Sequence, residues 1–155
     1  MTLTDTPQPR SIGGTKKPTV FVDGASGTTG LGIQERLRQQ GDVMVKGIAD
    51  EKRKDASAKR ALMEEVDLII LCLPDAAARE TVGQIDSMGA AAPKVLDASS
   101  AFRVANDWTY GFPELEPGQA DRIRTARKVS NPGCYPTGAI ALLRPLVDAG
   151  MVPAD

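Results

Sequence analysis

The sequence predicts an α/β domain built on a doubly wound parallel sheet, and three observations carry that prediction. Short β-rich runs alternate with helical stretches along most of the chain. Residues 66–73 are almost continuously apolar, as suits a central parallel strand covered on both faces. A glycine-rich turn stands between the first strand and the first helix, the place where this class of sheet receives a phosphate.

At 155 residues the chain is expected to form one domain with a real core. A net charge of −1 gives no reason to expect a nucleic-acid or anionic-membrane partner. No apolar run reaches the roughly 18 residues of a membrane span, and the first residues lack the apolar centre of a signal peptide, so a cytoplasmic location is expected. With no histidine and only Cys72 and Cys134 as thiols, no zinc site is expected either.

Residues 1–18 are polar, rich in proline and glycine, and without periodicity, and are read as a flexible N-terminal tail. The domain proper is read as residues 19–155. Residues 19–23 form the first strand, and a helix follows to Gln40 with Gly30, Ile33 and Leu37 on one face and Gly41 as its stop. Between them lies Gly24-Ala25-Ser26-Gly27-Thr28-Thr29-Gly30, a G-x-x-G-x-x-G spacing in a strand–turn–helix context. The missing side chains let the backbone approach a pyrophosphate while the helix start offers unpaired N–H groups, so a Rossmann-like dinucleotide site is expected here. The same glycines would also serve a tight turn with no ligand.

Residues 42–48 read as the second strand, whose end faces the adenosine ribose of such a cofactor. Asp50 or Glu51 would suit a ribose 2′-OH and hence NAD. Lys52-Arg53-Lys54 would suit a 2′-phosphate and hence NADP, with Arg53 the most fork-like ligand. The three cations favour NADP, and both readings stay open.

A short helix over 55–65 leads into the apolar strand 66–73, which holds Cys72 as a core thiol. Pro74 ends that strand, Asp75 is read as the cap of the next helix, and Ala78, Val82 and Ile85 mark its buried side. Leu73 and Pro74 then sit at the carboxyl end of the sheet, where ligands bind. Strand 94–97 delivers Ser99, Ser100 and Arg103 to the same edge, and a guanidinium there suits a phosphate or carboxylate. Residues 106–117 are read as a loop carrying Trp108, Tyr110 and Phe112, and 117–128 as a polar helix.

Val129 and Ser130 begin the last strand, which ends in Asn131-Pro132-Gly133-Cys134-Tyr135-Pro136-Thr137. Pro132 and Gly133 impose a tight turn, Pro136 suits a first helical turn, and Cys134 stands at the helix start, where unpaired N–H groups stabilise a thiolate. That makes Cys134 the candidate nucleophile, although a lone cysteine is more often a small buried hydrophobe. The helix is expected to run to about Ala149 with Ile140, Leu143, Leu146 and Val147 as its buried stripe, kinked at Pro145 and ended by Gly150.

The glycine turn and the Asn131–Thr137 motif, with Leu71-Cys72-Leu73-Pro74-Asp75, Asp97-Ala98-Ser99-Ser100 and Tyr110-Gly111-Phe112-Pro113-Glu114-Leu115 in the same order between them, resemble the N-acetyl-gamma-glutamyl-phosphate reductases of the shorter, second type, within the semialdehyde dehydrogenases. The resemblance covers residues 19–155. It implies NADPH-dependent reduction of an acyl phosphate to a semialdehyde in arginine biosynthesis, through a thioester on Cys134. It further implies that Arg103, Ser100 and Asn131 meet the substrate. Gly24, Ser26, Gly27, Thr28, Thr29, Gly30, Arg53, Leu73, Pro74 and Gly133 would meet NADP. Members of that family continue into a second, substrate-binding domain that carries a histidine acid/base, and they are expected to form homo-oligomers; this chain resembles the cofactor half. The alternatives are an aspartate-semialdehyde dehydrogenase-like enzyme and a non-catalytic nucleotide-binding module. A short-chain dehydrogenase is disfavoured, since Tyr110 is followed four residues on by Glu114 and Tyr135 by Ala139, not by lysine.

Overall fold

The structure is a computed structural model that describes residues 16–49 and 55–153. Most of the expected tail therefore lies outside the described residues. Its last part is already tied to the body: Lys17 Nζ donates to Gly41 O at 2.6 Å, and the Pro18 carbonyl accepts from Met44 N at 2.8 Å.

The described elements run β1 (Thr19–Asp23), α1 (Thr28–Gln40), β2 (Met44–Lys46), α2 (Ala56–Glu65), β3 (Leu68–Leu71), α3 (Asp75–Asp86), β4 (Lys94–Asp97), β5 (Thr109–Tyr110), α4 (Gln119–Thr125), β6 (Lys128–Ser130) and α5 (Cys134–Asp148). The strands form one sheet in the order β2-β1-β3-β4-β6-β5, and every pair is parallel. Side chains alternate between its faces, so the central strands β1, β3 and β4 feed two cores. On one face Phe21, Ile69, Leu71 and Val95 pack with Met63 of α2 and with Ala78, Val82 and Ile85 of α3. On the other, Val20, Val22 and Ile70 pack with Ile33 and Leu37 of α1. Apolar positions on both faces are why residues 68–71 read as a continuous hydrophobic run.

Helix ends follow local chemistry. Asp55 caps α2 by accepting from Ser57 N and Ala58 N, satisfying two of the first-turn donors. Gly41 ends α1 in the left-handed region at φ 68°, where a side chain would be strained.

Four departures from the sequence reading matter for the site. Strands β2 and β3 are shorter than expected, which puts Cys72 past the end of β3, half-buried and packed against the margin of the Val20–Val22–Ile70 core. Asp75 is the first residue of α3, not its cap; Pro74 occupies the cap position, and no side chain caps that helix. Residues 109–110 are not loop but the edge strand β5, held by Gly111 N donating to Ser130 O at 2.8 Å and by the Gln119 side-chain amide donating to Tyr110 O. A two-residue strand is too short to leave an alternation in the sequence.

The fourth concerns α5, which continues through Pro145 with no buried residue at all. Leu143 and Leu146 of the expected stripe are exposed, as are Leu142 and, just beyond the helix, Met151. The helix rests one edge against the 112–117 segment, lining a groove with Phe112, Leu115 and Pro117 through Ile140, Ala141 and Pro145.

Candidate active site

Every strand end that carries a candidate residue opens at the same edge of the sheet. The ladder continues one residue past three of the strands: Cys72 N donates to Asp23 O at 2.8 Å, Ala98 N to Leu71 O at 2.9 Å, and Asn131 N to Asp97 O at 2.7 Å. The turns that follow β1, β3, β4 and β6 are thereby fixed side by side, and the strand order reverses between β1 and β3, where open sheets of this kind hold ligands.

The glycine turn lies at that reversal. Gly24 has φ 85°, and a β-carbon on it would stand 2.2 Å from the Cys72 carbonyl oxygen, so both its conformation and its neighbour require glycine. Gly30 is buried in the first turn of α1, where a β-carbon would meet the Gly24 carbonyl at 2.4 Å. These two glycines serve close packing of turn, strand and helix. Gly27 is the exposed one; it precedes α1 as its cap residue, and its own N–H donates back to Gly24 O at 3.1 Å. The first helical bond is Leu31 N to Gly27 O at 2.9 Å, which leaves the N–H groups of Thr28, Thr29 and Gly30 without helical acceptors. They converge with the positive end of the helix dipole on the turn, a ready anion site.

Beside this turn is a cleft of about 400 Å³ lined by Gly24, Ser26, Leu31, Arg38, Ile48 and Leu73, among others. Its size, its mixed lining and the donors at its mouth fit a dinucleotide. In its lining the Lys59 ammonium meets the Asp23 carboxylate at 2.5 Å, and Lys59 also donates to Thr81 Oγ1 at 3.0 Å. Pro74 is exposed beside Leu73 at the same edge. Arg53, with Asp50 and Glu51, lies outside the described residues.

The second half of the site is the turn after β6. Gly133 is the cap residue of α5 and Cys134 its first residue, with the thiol exposed. The turn is closed by Thr137, whose N–H and Oγ1 both donate to Gly133 O, at 3.0 and 2.9 Å. The Asn131 side-chain amide donates to Pro132 O at 3.2 Å. Arg103 reaches this turn from the β4 side. Its Nε donates to Asn131 O at 3.3 Å and its Nη2 to Ala98 O at 3.4 Å, while a β-carbon on residue 133 would stand 2.6 Å from Nη1. Arg103 is thus brought against the Asn131–Gly133 turn that leads into Cys134.

Ser100 is built differently from a direct substrate ligand. Its hydroxyl donates to Asp75 Oδ2 at 2.7 Å and its N–H to Asp75 Oδ1 at 3.1 Å, so its donors are already committed. The sequence reading missed Asp75 in this role, because the contact spans two loops and leaves no local pattern.

Two further groups were not anticipated. Asp97 is fully buried, with Oδ2 accepting from Ser99 Oγ at 2.6 Å and Oδ1 without a partner; burial pushes its carboxyl up from the ordinary range. Ser130, its register neighbour on β6, is equally buried, and its hydroxyl is likewise unpartnered. Burial, reinforced by the charges of Asp23 and Asp97, also raises the Cys72 thiol. The two cysteines therefore stand in opposite settings, one exposed at a helix start and one half-buried beside carboxylates.

Residues 43–123, 81 of the 155, match the family model described as semialdehyde dehydrogenase, NAD binding domain. The chain belongs to this family. Among curated relatives it is 51% identical over 139 residues to N-acetyl-gamma-glutamyl-phosphate reductase 2 of Nostoc sp., a match covering 90% of this chain and 42% of the relative. It is 55% identical, over 90% of its length, to N-acetyl-gamma-glutamyl-phosphate reductase of Burkholderia lata, of which the match covers 43%. The chain thus spans less than half the length of the relatives it matches. Among solved structures, aspartate semialdehyde dehydrogenase II from Vibrio cholerae superposes with a TM-score of 0.66 at 19% identity, covering 86% of this chain and 47% of that one; it shares the fold.

Among the described residues no helix is long and apolar enough to cross a membrane, and no group of three or more potential metal ligands is found. By its family match and its parallel sheet, the chain is a Rossmann-like member of the semialdehyde dehydrogenase NAD-binding domains.

Proposed function

We propose that the chain is the cofactor-binding, cysteine-bearing portion of an NADP-dependent N-acetyl-gamma-glutamyl-phosphate reductase. The observation that carries the reading is the meeting of Arg103 with the Gly133–Cys134 turn, at the sheet edge that also holds the glycine turn. The names and roughly 50% identity of the relatives support the substrate class.

In this reading the Cys134 thiolate attacks the acyl carbon of the substrate, the bond to phosphate oxygen breaks, and inorganic phosphate leaves with the bonding pair, giving a thioester on Sγ. Arg103 holds the departing phosphate, because a guanidinium offers paired donors matched to phosphate oxygens. Asn131 and Gly133 keep the turn tight enough for thiol and guanidinium to face one acyl phosphate. Gly24, Ser26, Gly27, Thr28, Thr29 and Gly30, with Leu73 and Pro74 along the cleft, would hold the dinucleotide, whose nicotinamide would supply hydride for reduction of the thioester. Release of the semialdehyde returns the Cys134 thiolate. NADP is preferred to NAD on the Lys52-Arg53-Lys54 run, with Arg53 on the 2′-phosphate. The whole enzyme is proposed to be a cytoplasmic homo-oligomer.

Cys134→Ser tests the division of labour. It should abolish thioester formation from N-acetyl-gamma-glutamyl phosphate while NADPH affinity, read from nucleotide fluorescence, stays within about twofold. Equal loss of both would refute the role given to Cys134. Thioester formation from aspartyl phosphate in preference would move the assignment to an aspartate-semialdehyde dehydrogenase. Nucleotide binding with no acylation from either substrate would favour a binding module.

A further inference from the structure

Arg103 sits on a loop with little to hold it in sequence, yet that loop is gripped from α3 on two sides. From the first residue of α3, Asp75 accepts both the N–H and the hydroxyl of Ser100, at 3.1 and 2.7 Å. One turn later, Arg79 Nη2 donates to Ala101 O at 2.9 Å, and its guanidinium lies 5.3 Å from the centroid of the Phe102 ring. Phe102 in turn stacks on Trp108, with centroids 4.3 Å apart. Ser100, Ala101 and Phe102 are thereby fixed one after another, and Arg103 is the next residue.

A carboxylate this close to an anion site needs a reason. The two Ser100 bonds, with Arg79 and Arg103 nearby, hold the Asp75 carboxyl below its ordinary range, so it carries full charge at neutral pH. A bare charge there would repel the phosphate that Arg103 is read to receive. Among the described residues no ion pair within 4 Å joins Asp75 to Arg103, whose hydrogen bonds go to Asn131 O and Ala98 O. The geometry therefore favours orientation over charge neutralisation.

We infer that Asp75 is a positioning residue for the anion end of the site: by clamping both donors of Ser100 it fixes the loop so that Arg103 faces the Cys134 turn. The inference rests on the reading of Arg103 as phosphate ligand and adds Asp75 and Ser100 as one coupled unit behind it. Positioning and charge predict opposite signs. If Asp75 orients Arg103, removing its carboxylate weakens phosphate binding; if Asp75 acts mainly as a negative charge, the same change strengthens it.

The test uses the full chain and inorganic phosphate as probe. Phosphate bound at Arg103 slows alkylation of Cys134 by neutral iodoacetamide, followed by peptide mass spectrometry and normalised to each variant's rate without phosphate. Asp75→Ala is expected to raise the half-protecting phosphate concentration about tenfold, the scale of one lost charge-assisted hydrogen bond. Ser100→Ala keeps the backbone N–H bond to Asp75 Oδ1 and should give a smaller rise, and the double variant should be no worse than Asp75→Ala alone, because the two act as one unit. Asp75→Asn keeps one acceptor oxygen, should fall between wild type and Asp75→Ala, and covers the case in which the alanine variant does not fold. Unchanged or tighter phosphate binding in the Asp75 variants, with protection lost in Arg103→Ala, overturns the positioning role and leaves the reading of Arg103 standing. So do additive single effects, which would make Asp75 and Ser100 independent. Absence of phosphate protection in wild type removes the reading of Arg103 and this inference with it.

Discussion

The guanidinium of Arg103 occupies the space where a β-carbon on Gly133 would stand: the built position lies 2.6 Å from Nη1 and 3.0 Å from Cζ. Gly133 is thus required by its neighbour, since its own φ of −75° suits any residue. The obstructing atoms are the far end of a flexible side chain, so Gly133→Ala should cost less than about 1 kcal/mol of stability while displacing Arg103. The expected outcome is a melting temperature within a few degrees of wild type and a loss of phosphate protection at Cys134 comparable with Arg103→Ala. A large fall in melting temperature would show that the turn cannot yield there.

Gly24 presents the contrasting case. A β-carbon would press on backbone, the Cys72 carbonyl at 2.2 Å, at a φ of 85° that side chains avoid. Neither strand can retreat without breaking the ladder, so Gly24→Ala should destabilise by about 2 kcal/mol or more. Gly27→Ala, whose β-carbon would be 3.5 Å from Gly24 O, should leave stability nearly intact and weaken NADPH binding. Urea unfolding and fluorescence titration of the two variants separate packing glycine from ligand glycine.

Much of this was legible in the sequence for local reasons. The glycine turn, the strand before it, the stop at Gly41 and the turn at Cys134 each follow from residue types a few positions apart. The periodicity of α3 named Ala78, Val82 and Ile85, which are buried. The same reasoning failed on α5, because a period shows which side of a helix is apolar and not whether anything covers it; Leu143 and Leu146 stay exposed. It failed on Asp75 because capping is a local rule, whereas its partner Ser100 comes from the next loop of the sheet. It failed on Asp97 and Ser130 because burial of a polar side chain at a strand end depends on which strands become neighbours.

Asp97 should leave a mark on stability against pH. Its folded pKa is raised by burial, so between its unfolded pKa and that raised value the folded state holds more protons than the unfolded one. Its contribution therefore declines as pH rises through that window. Asp67, lowered by its bonds from Thr19 N and Oγ1, both at 2.7 Å, works in the opposite sense and loses its contribution as pH falls through its folded pKa. Asp97→Asn keeps an acceptor for Ser99 and should be more stable than wild type at pH 8, with the advantage vanishing below about pH 4, near the unfolded value. Equal stability differences at both pH values would show that Asp97 does not titrate anomalously.

The two thiols should separate cleanly. Cys72 is half-buried and its thiol is raised, first by burial and then by Asp23 and Asp97, whereas Cys134 is exposed. Iodoacetamide at pH 7.5 should therefore modify Cys134 well before Cys72. Asp97→Asn removes one of the charges that raise Cys72 and should speed its alkylation at pH 9. An unaltered Cys72 rate would mean that the Asp97 charge does not reach the thiol and that burial with Asp23 governs it.

The most direct measurement of the central claim is intact-protein and peptide mass spectrometry after mixing this chain with N-acetyl-gamma-glutamyl phosphate in the absence of nucleotide. A nucleophilic Cys134 served by Arg103 predicts one N-acetylglutamyl mass increment on the Cys134 peptide, removed by hydroxylamine, absent in Cys134→Ser and sharply reduced in Arg103→Ala. No increment, or acylation that falls on Cys72 as readily, would contradict it.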